Sequence, residues 1–275
     1  MQAVGKRKFI NGLSILRAMT TPSSVLMRIP NWLSDEVSLR MGEKLSMIKM
    51  TPQKIWQCGS DAGVLWKHYG LAKKFVSENK YLYAPIKKYI YRWLGRPVPE
   101  LFDVNLGLNH IKFDLIWSNL ELSQASFEEL IPKWKKHLAP NALLMFSYLG
   151  PDTGKNLHRL LGLEKITHYL SPDMHDVGDA LLQAGFSEPV MDMEYVTLDY
   201  ESLDLLLKDA LLLGLIDPEE ANLVKNQASH QKNEGQLQMT LELVYGHAWT
   251  PELNLSKTKD GLATISLDQI VRSKK

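Results

Sequence analysis

The amino-acid sequence predicts an α/β fold built on a mostly parallel, doubly wound sheet, and three observations carry the prediction. Strand-like and helix-like segments alternate along the chain. Two of the strand-like segments, Phe113–Ser118 and Leu143–Tyr148, are almost continuously apolar, as strands covered by helices on both faces must be. The first strand-like segment runs directly into a turn that carries two glycines, Gly59 and Gly63.

In chain order, Ser34 is placed to cap a helix that has Asp35 and Glu36 in its first turn, where acids favour the exposed amides. Val37, Met41, Leu45 and Ile48 then repeat on one face until Pro52. A strand over Lys54–Cys58 leads into Gly59-Ser60-Asp61-Ala62-Gly63, a short helix to Tyr69 and a strand around Lys74–Glu78. Beyond Phe113–Ser118, the pair Ser126 and Glu129 predicts a capping box for a helix through Leu138. After Leu143–Tyr148, Asp173 predicts a helix start and Gly185 its end, with a strand around Val190–Leu198 to follow. Leu237, Met239, Leu241, Leu243 and Tyr245 alternate with other positions, which reads as a half-buried antiparallel edge strand. Between these two strands, Asp199 to Gln236 reads as helices without a strand partner, an insertion over the sheet.

A chain of 275 residues is long enough for one large domain. With 32 basic and 31 acidic residues, a formal charge of +1 and 45% hydrophobic residues, the composition is that of a globular protein. Cys58 is the single cysteine, so the sequence offers neither an internal disulfide nor a zinc-binding cysteine pair. The most apolar stretch, near Leu203–Ile216, is interrupted by Asp204, Lys208, Asp209 and Gly214, short of the roughly 20 apolar residues of a membrane helix. Residues 1–34 carry Lys6, Arg7, Lys8, Arg17 and Arg28 with no acid, which is the pattern of a basic N-terminal arm and also of an organelle transit segment. We divide the chain into an arm over 1–33, a main domain over 34–255 with the insertion at about 199–236, and a charged tail of low order over 256–275.

In an open parallel sheet the ligand sits outside the carboxyl ends of the strands, which places Gln57 to Gly63 in the crevice. Glycine there lets the backbone approach a ligand closely. Tyr148, at the carboxyl end of a strand, is placed to line the crevice or to pack in the core. His175 and Asp176 begin a helix near the same end, placed to meet a substrate or simply to cap the helix. Cys58 reads as a small buried hydrophobe.

Several stretches carry a family likeness. The segment from Met47 to Gly63 resembles the entry to the adenosylmethionine loop of class I methyltransferases, and Phe113-Asp114-Leu115-Ile116-Trp117-Ser118-Asn119-Leu120 resembles the fourth strand of that Rossmann-like, seven-stranded fold. Phe146-Ser147-Tyr148-Leu149-Gly150-Pro151-Asp152-Thr153, the run from Asp173 to Leu181 with Ala184-Gly185-Phe186, Pro189 to Glu194, and Val244-Tyr245-Gly246-His247-Ala248-Trp249 resemble the malonyl-acyl-carrier-protein O-methyltransferases of biotin synthesis. The resemblance implies methyl transfer from S-adenosylmethionine to the free carboxylate of a malonyl thioester. Such a carboxylate is already ionised at neutral pH, so alignment in a water-poor pocket suffices and no general base is needed.

By the same resemblance the cofactor contacts fall on Gln57, Gly59, Asp61, Gly63 and Asn119, with Glu78 or Asn79 for the ribose hydroxyls and Asp103 near the adenine, and the substrate side on Tyr148 and His175. The loop departs from the family pattern, since Gln57 stands where an acid is usual and Asp61 where the middle glycine is usual. Asp61 is therefore expected to supply the missing carboxylate to the cofactor's ammonium. The alternatives are a catalytically impaired relative that acts as an interaction or assembly protein, and a protein like the mitochondrial respiratory-complex assembly factor that resembles this family.

Residues 73–96 hold Lys73, Lys74, Lys80, Lys87, Lys88, Arg92 and Arg96 against the single acid Glu78. A basic stretch steers anionic partners. The resemblance makes an acidic acyl carrier protein the expected partner, in preference to nucleic acid or a membrane. The expected location is the cytoplasm, with the acid-free arm leaving an organelle open.

Overall fold

Seven strands form one sheet in the order β3-β2-β1-β4-β5-β7-β6. They are β1 (Lys54–Cys58), β2 (Lys73–Val76), β3 (Glu100–Leu101), β4 (Phe113–Asn119), β5 (Leu138–Leu149), β6 (Ser187–Asp199) and β7 (Gln238–Trp249). The first five are mutually parallel, while β7 runs antiparallel to both β5 and β6. The helices are α1 (Asn31–Ser46), α2 (Val64–Tyr69), α3 (Phe127–His137), α4 (Lys155–Leu161), α5 (Met174–Gln183), α6 (Leu203–Leu212) and α7 (Pro218–Ala228). This computed structural model describes residues 28–77, 92–102, 111–121, 123, 126–161, 171–228, 237–252, 258–259 and 262–263.

Each face of the sheet has its own core. On one, Ile55, Leu115, Trp117, Leu143 and Met145 pack with Leu33, Val37, Met41 and Leu45 of α1 and with Leu206, Leu207 and Ala210 of α6. On the other, Trp56, Phe113, Ile116, Leu144 and Phe146 pack with Leu130, Ile131 and Trp134 of α3 and with Val177 and Leu181 of α5. Burial on both faces is why β4 and β5 read as unbroken apolar runs.

The antiparallel pair closes this side of the sheet, but its order differs from the expected one. Strand β7 lies one place in from the edge, between β5 and β6, and the edge position belongs to β6. The burial patterns give the reason. Strand β7 is buried along almost its whole length, whereas β6 alternates between half-buried and exposed residues, as a strand with one wet face does.

Local boundaries differ at three places. Helix α1 starts at Asn31 with Pro30 before it, because Leu33 already belongs to the buried face; Ser34 lies a turn inside and its hydroxyl donates to Asn31 O at 3.0 Å. Ser126 does precede α3, but its side chain makes no cap bond, so the serine half of the expected capping box does not form; its carbonyl takes the amides of Glu129 and Leu130 at 3.2 and 3.1 Å. In the expected tail, Thr258–Lys259 and Leu262–Ala263 pair as short antiparallel strands. Asp173 caps α5 as expected, accepting from the His175 amide at 2.8 Å. Residues 1–27 of the arm lie outside the described residues, and the Arg28 amide donates to Leu212 O at 2.7 Å, tying the chain ahead of α1 to the end of α6.

Candidate active site

Strand order reverses between β1 and β4, so the connections leaving their carboxyl ends diverge and open a crevice there. The loop 59–63 forms one wall and the end of β4 the other. Gly59 has φ +80°, and a Cβ on it would lie 2.4 Å from Asn119 O, so only glycine lets the loop pass so close to β4. Gly63 has φ +81° at the start of α2, but nothing lies within 4 Å of where its Cβ would be. The outer side of that turn is open space.

Asn119 locks the loop in place. Its buried side-chain amide donates to Ser34 O, Ser38 Oγ and Ser60 O at 2.7, 2.8 and 3.0 Å, two N–H groups shared among three acceptors. Its Oδ1 accepts the Ser147 hydroxyl at 2.9 Å. The Ser60 carbonyl also takes Trp117 Nε1 at 3.0 Å and the Ser38 hydroxyl at 2.8 Å, and the Ser60 hydroxyl donates to Asp35 at 2.6 Å. Sequence reasoning missed Ser38, Ser60, Trp117 and Ser147 as fixtures of this wall, since a serine or a strand tryptophan carries no local signal of such a role.

Gln57 is buried and its Nε2 donates to Gly59 O at 3.0 Å. The amide thus fixes a loop carbonyl that an ionised acid would repel. Asp61, only 7% exposed, turns under the loop. Its Oδ1 accepts the Gly63 amide at 3.2 Å, while Oδ2 is buried with no hydrogen-bond partner. Burial pushes the Asp61 carboxyl up, opposed by the amides of Gly63 and Leu65 and by the Lys74 ammonium. To reach a cofactor's ammonium, as the sequence suggested, this side chain would have to turn outward.

Glu78, Asn79 and Asp103 lie outside the described residues. Tyr148 is completely buried in the α3–α5 core, stacked on Phe146 with ring centroids 6.4 Å apart, and does not face the crevice. His175 stands exposed at the start of α5, its Nδ1 2.7 Å from Asp173 Oδ1. The structure brings Gln57, Gly59, Asp61, Gly63 and Asn119 together and leaves Tyr148 and His175 apart from them.

Cys58 is fully buried, with its Sγ 3.4 Å from the Ser77 hydroxyl. Burial and then the Glu121 carboxylate push its thiol well up, which keeps it protonated and unreactive. Glu121, just past the end of β4, is a further carboxylate at this rim that the sequence reading passed over. A cavity of about 680 Å³ opens at the opposite, amino end of the sheet between Lys49, Asp114, Glu188 and Trp249, away from the crevice, and has no part in the site.

The open face of the Gly63 turn fits a ligand that lies along the loop. Sheet order, glycine turn and crevice together define a class I S-adenosylmethionine-dependent methyltransferase fold. Two solved structures agree: one from Bacillus halodurans assigned as a methyltransferase (TM-score 0.52, 10% identity, covering 78% of this chain and 99% of that one), and the YcgJ protein of Bacillus subtilis (TM-score 0.51, 8% identity, 77% and 98%). No family model matches the chain.

Among curated proteins the chain is 35% identical to the malonyl-[acyl-carrier protein] O-methyltransferase of Gallionella capsiferriformans, covering 85% of this chain and 88% of the relative. It is 31% identical to the protein of the same name from a Methylovorus strain, covering 85% and 87%. The chain belongs to the malonyl-[acyl-carrier protein] O-methyltransferase family.

Proposed function

We propose that this enzyme methylates the free carboxylate of a malonyl group carried as a thioester on acyl carrier protein, masking that charge during biotin synthesis. The observation that carries the reading is the loop after β1. It is folded and cross-tied from α1 and β4 although Gln57 and Asp61 depart from the usual pattern. The relatives favour this over an impaired assembly protein.

When bound, S-adenosylmethionine supplies a methyl group already activated by its sulfonium. Gln57, Gly59, Asp61 and Gly63 form the wall that holds it, and Asn119 sets the position of that wall. Glu78 or Asn79 serves the ribose hydroxyls, with Asp103 toward the adenine. The acceptor arrives ionised, so the chain's own work is orientation and exclusion of water. His175, exposed near the carboxyl end of β5, is the acceptor-side candidate, and Tyr148 supports that strand end from the core.

Acyl carrier protein docks on the basic stretch 73–96. Three of its cations have other roles: Lys73 pairs with Glu100 at 3.0 Å, Lys74 is buried, and Arg96 lies 4.1 Å above the Trp66 ring. The docking charge therefore falls to Lys80, Lys87 and Lys88, outside the described residues, together with Arg92. We place the reaction in the cytoplasm; among the described residues no helix is long and apolar enough to cross a membrane.

The test is calorimetric titration with S-adenosylmethionine and its demethylated product, followed by mass measurement of malonyl-carrier incubated with enzyme and cofactor. Micromolar binding and one added methyl group on the malonyl carrier are expected. A folded protein that binds neither compound would overturn the reading and direct the search to protein partners.

A further inference from the structure

Past Leu149 the chain leaves the sheet, and the turn that follows takes over the edge of β7 that had faced β5. The Gly150 amide donates to Glu242 O at 2.8 Å and the Gly154 amide to Thr240 O at 2.8 Å. The Thr153 hydroxyl accepts the Glu242 amide at 3.1 Å and donates to Glu242 O at 3.2 Å. Asn156, on α4, continues along the same edge, accepting the Thr240 amide and donating to Gln238 O, each at 3.0 Å.

The Glu242 side chain adds a second hold on this turn. It lies on the α3–α5 face of β7, in the row of Val244, and is only 6% exposed. Its Oε2 accepts the Asp152 amide at 2.6 Å, and the carboxyl packs so close to Gly150 that a Cβ there would lie 2.3 Å from Glu242 Cδ. Glycine at 150 is what leaves room for the carboxylate. Burial pushes this carboxyl up, opposed by the Asp152 amide. Burying a carboxylate in such a row costs more than burying leucine. A local cost of this kind, borne at the end of the sheet where the crevice opens, is what functional sites carry.

The strand end that carries the turn adjoins the crevice wall. Ser147, three residues before Gly150, is bonded to Asn119 at 2.9 Å, and the Leu149 amide donates to Ser123 Oγ at 2.8 Å in the segment leaving that wall. The Ser171 hydroxyl donates to Leu149 O at 2.5 Å, which brings the segment leading to Asp173 and His175 to the same place. With the cofactor along loop 59–63 on the β1 side, the β5 side of the crevice is left to the acceptor. Asp152 in the turn pairs with Lys155 and takes the Tyr195 hydroxyl at 3.2 Å, so a cation stands beside the turn's own acid.

We propose that Glu242 is a positioning residue for the acceptor: its carboxylate holds the Gly150–Gly154 turn at the end of β5, and the turn so held is the wall against which the malonyl group is aligned. This rests on the reading that malonyl carrier is the substrate. Without the bond to Oε2 the Asp152 amide is released and the turn loses its set. The acceptor then meets the methyl group out of line, while loop 59–63, tied from α1 and β4, keeps its place.

The experiment measures S-adenosylhomocysteine affinity by calorimetry, and kcat/KM for malonyl carrier by methyl incorporation, on the full chain and on Glu242→Gln, Glu242→Leu and Gly150→Ala. Glu242→Leu should lower kcat/KM about ten-fold or more while cofactor affinity stays within about three-fold. Gly150→Ala, whose Cβ drives the carboxylate off the Asp152 amide, should do the same. Glu242→Gln keeps an oxygen for that amide and should stay within about three-fold in both measures. A kcat/KM in Glu242→Leu that changes by less than about three-fold, whatever its unfolding midpoint, would mean a purely structural carboxylate and would overturn the proposal. So would an equal loss of cofactor affinity, or a Glu242→Gln variant as impaired as Glu242→Leu. If Glu242→Leu does not fold, Gly150→Ala decides on the same terms; if neither folds, the role is structural and the proposal falls. A folded, unmodified chain that binds no S-adenosylhomocysteine, or binds it and leaves malonyl carrier unmethylated, defeats the underlying reading and this proposal with it.

Discussion

Asn119 Nδ2 lies 3.0 Å from the Ser60 carbonyl, so the end of β4 sets the position of the loop that follows β1. The same side chain reaches α1 through Ser34 and Ser38 and β5 through Ser147. One buried amide thus joins three parallel strands and a helix at the mouth of the crevice. A loop held from below in this way tolerates unusual side chains at Gln57 and Asp61, because its path does not depend on them alone.

Replacing Asn119 by leucine, similar in size but without polar atoms, should cost about 2–3 kcal/mol of stability, since it strands several buried partners at once. Chemical denaturation measures this. Calorimetry on the folded variant should show weaker adenosylhomocysteine binding, because Ser60 loses one of its anchors.

The two glycines of the loop should separate stability from binding. Gly59→Ala forces a Cβ to within 2.4 Å of Asn119 O, so the fold should lose about 2 kcal/mol or more. Gly63→Ala meets only the strain of its positive φ, about 1 kcal/mol. If the cofactor lies along the open side of this turn, Gly63→Ala loses affinity out of proportion to its small shift in unfolding midpoint.

Gln57→Glu replaces a donor to Gly59 O with an acceptor. At neutral pH the variant should be less stable than the unmodified chain by about 1–3 kcal/mol. The deficit should shrink on acidification as the new carboxyl protonates and can donate again. Denaturation midpoints at several pH values between acid and neutral follow this directly.

His137 is fully buried, edge-on to Trp56 and Phe102 with centroids 5.5 Å away. Burial, chiefly, lowers its pKa from the ordinary histidine value. The unfolded chain therefore takes up the proton first, so this residue's contribution is complete above about pH 6.5 and is lost as pH falls through the lower folded value. His137→Phe should flatten that part of the stability profile. An unchanged slope below pH 6.5 would assign the acid sensitivity to other groups, such as Asp173 and Asp192, whose carboxyls are held low by His175 and Lys44.

Strand β4 and the glycine turn were legible because their causes are local. An unbroken apolar run signals burial on both faces, and Gly59 and Gly63 mark positive φ whatever surrounds them. Helix α1 was placed one turn late because Ser34 looks like a cap, while what decided its start was the burial of Leu33 against the sheet. Lys74 read as one more cation in a basic stretch, since composition does not show which lysine points inward. Asn119 was named from a motif, but its partners Ser34, Ser38 and Ser60 lie 85, 81 and 59 residues earlier, beyond any local pattern.

The sequence by itself determined the class of the fold, the place of the crevice at the end of β1 and the family, because periodicity, turn chemistry and motif spacing all act between near neighbours in the chain. Only the tertiary structure decided that β6 and not β7 is the edge, that Tyr148 is sealed in the core, and that the Asp61 side chain is buried under its loop. Each of these depends on which distant segments exclude water from a given side chain. Burial and counter-charge are properties of the packed whole, and they set the chemistry of a site whose residues the sequence can only name.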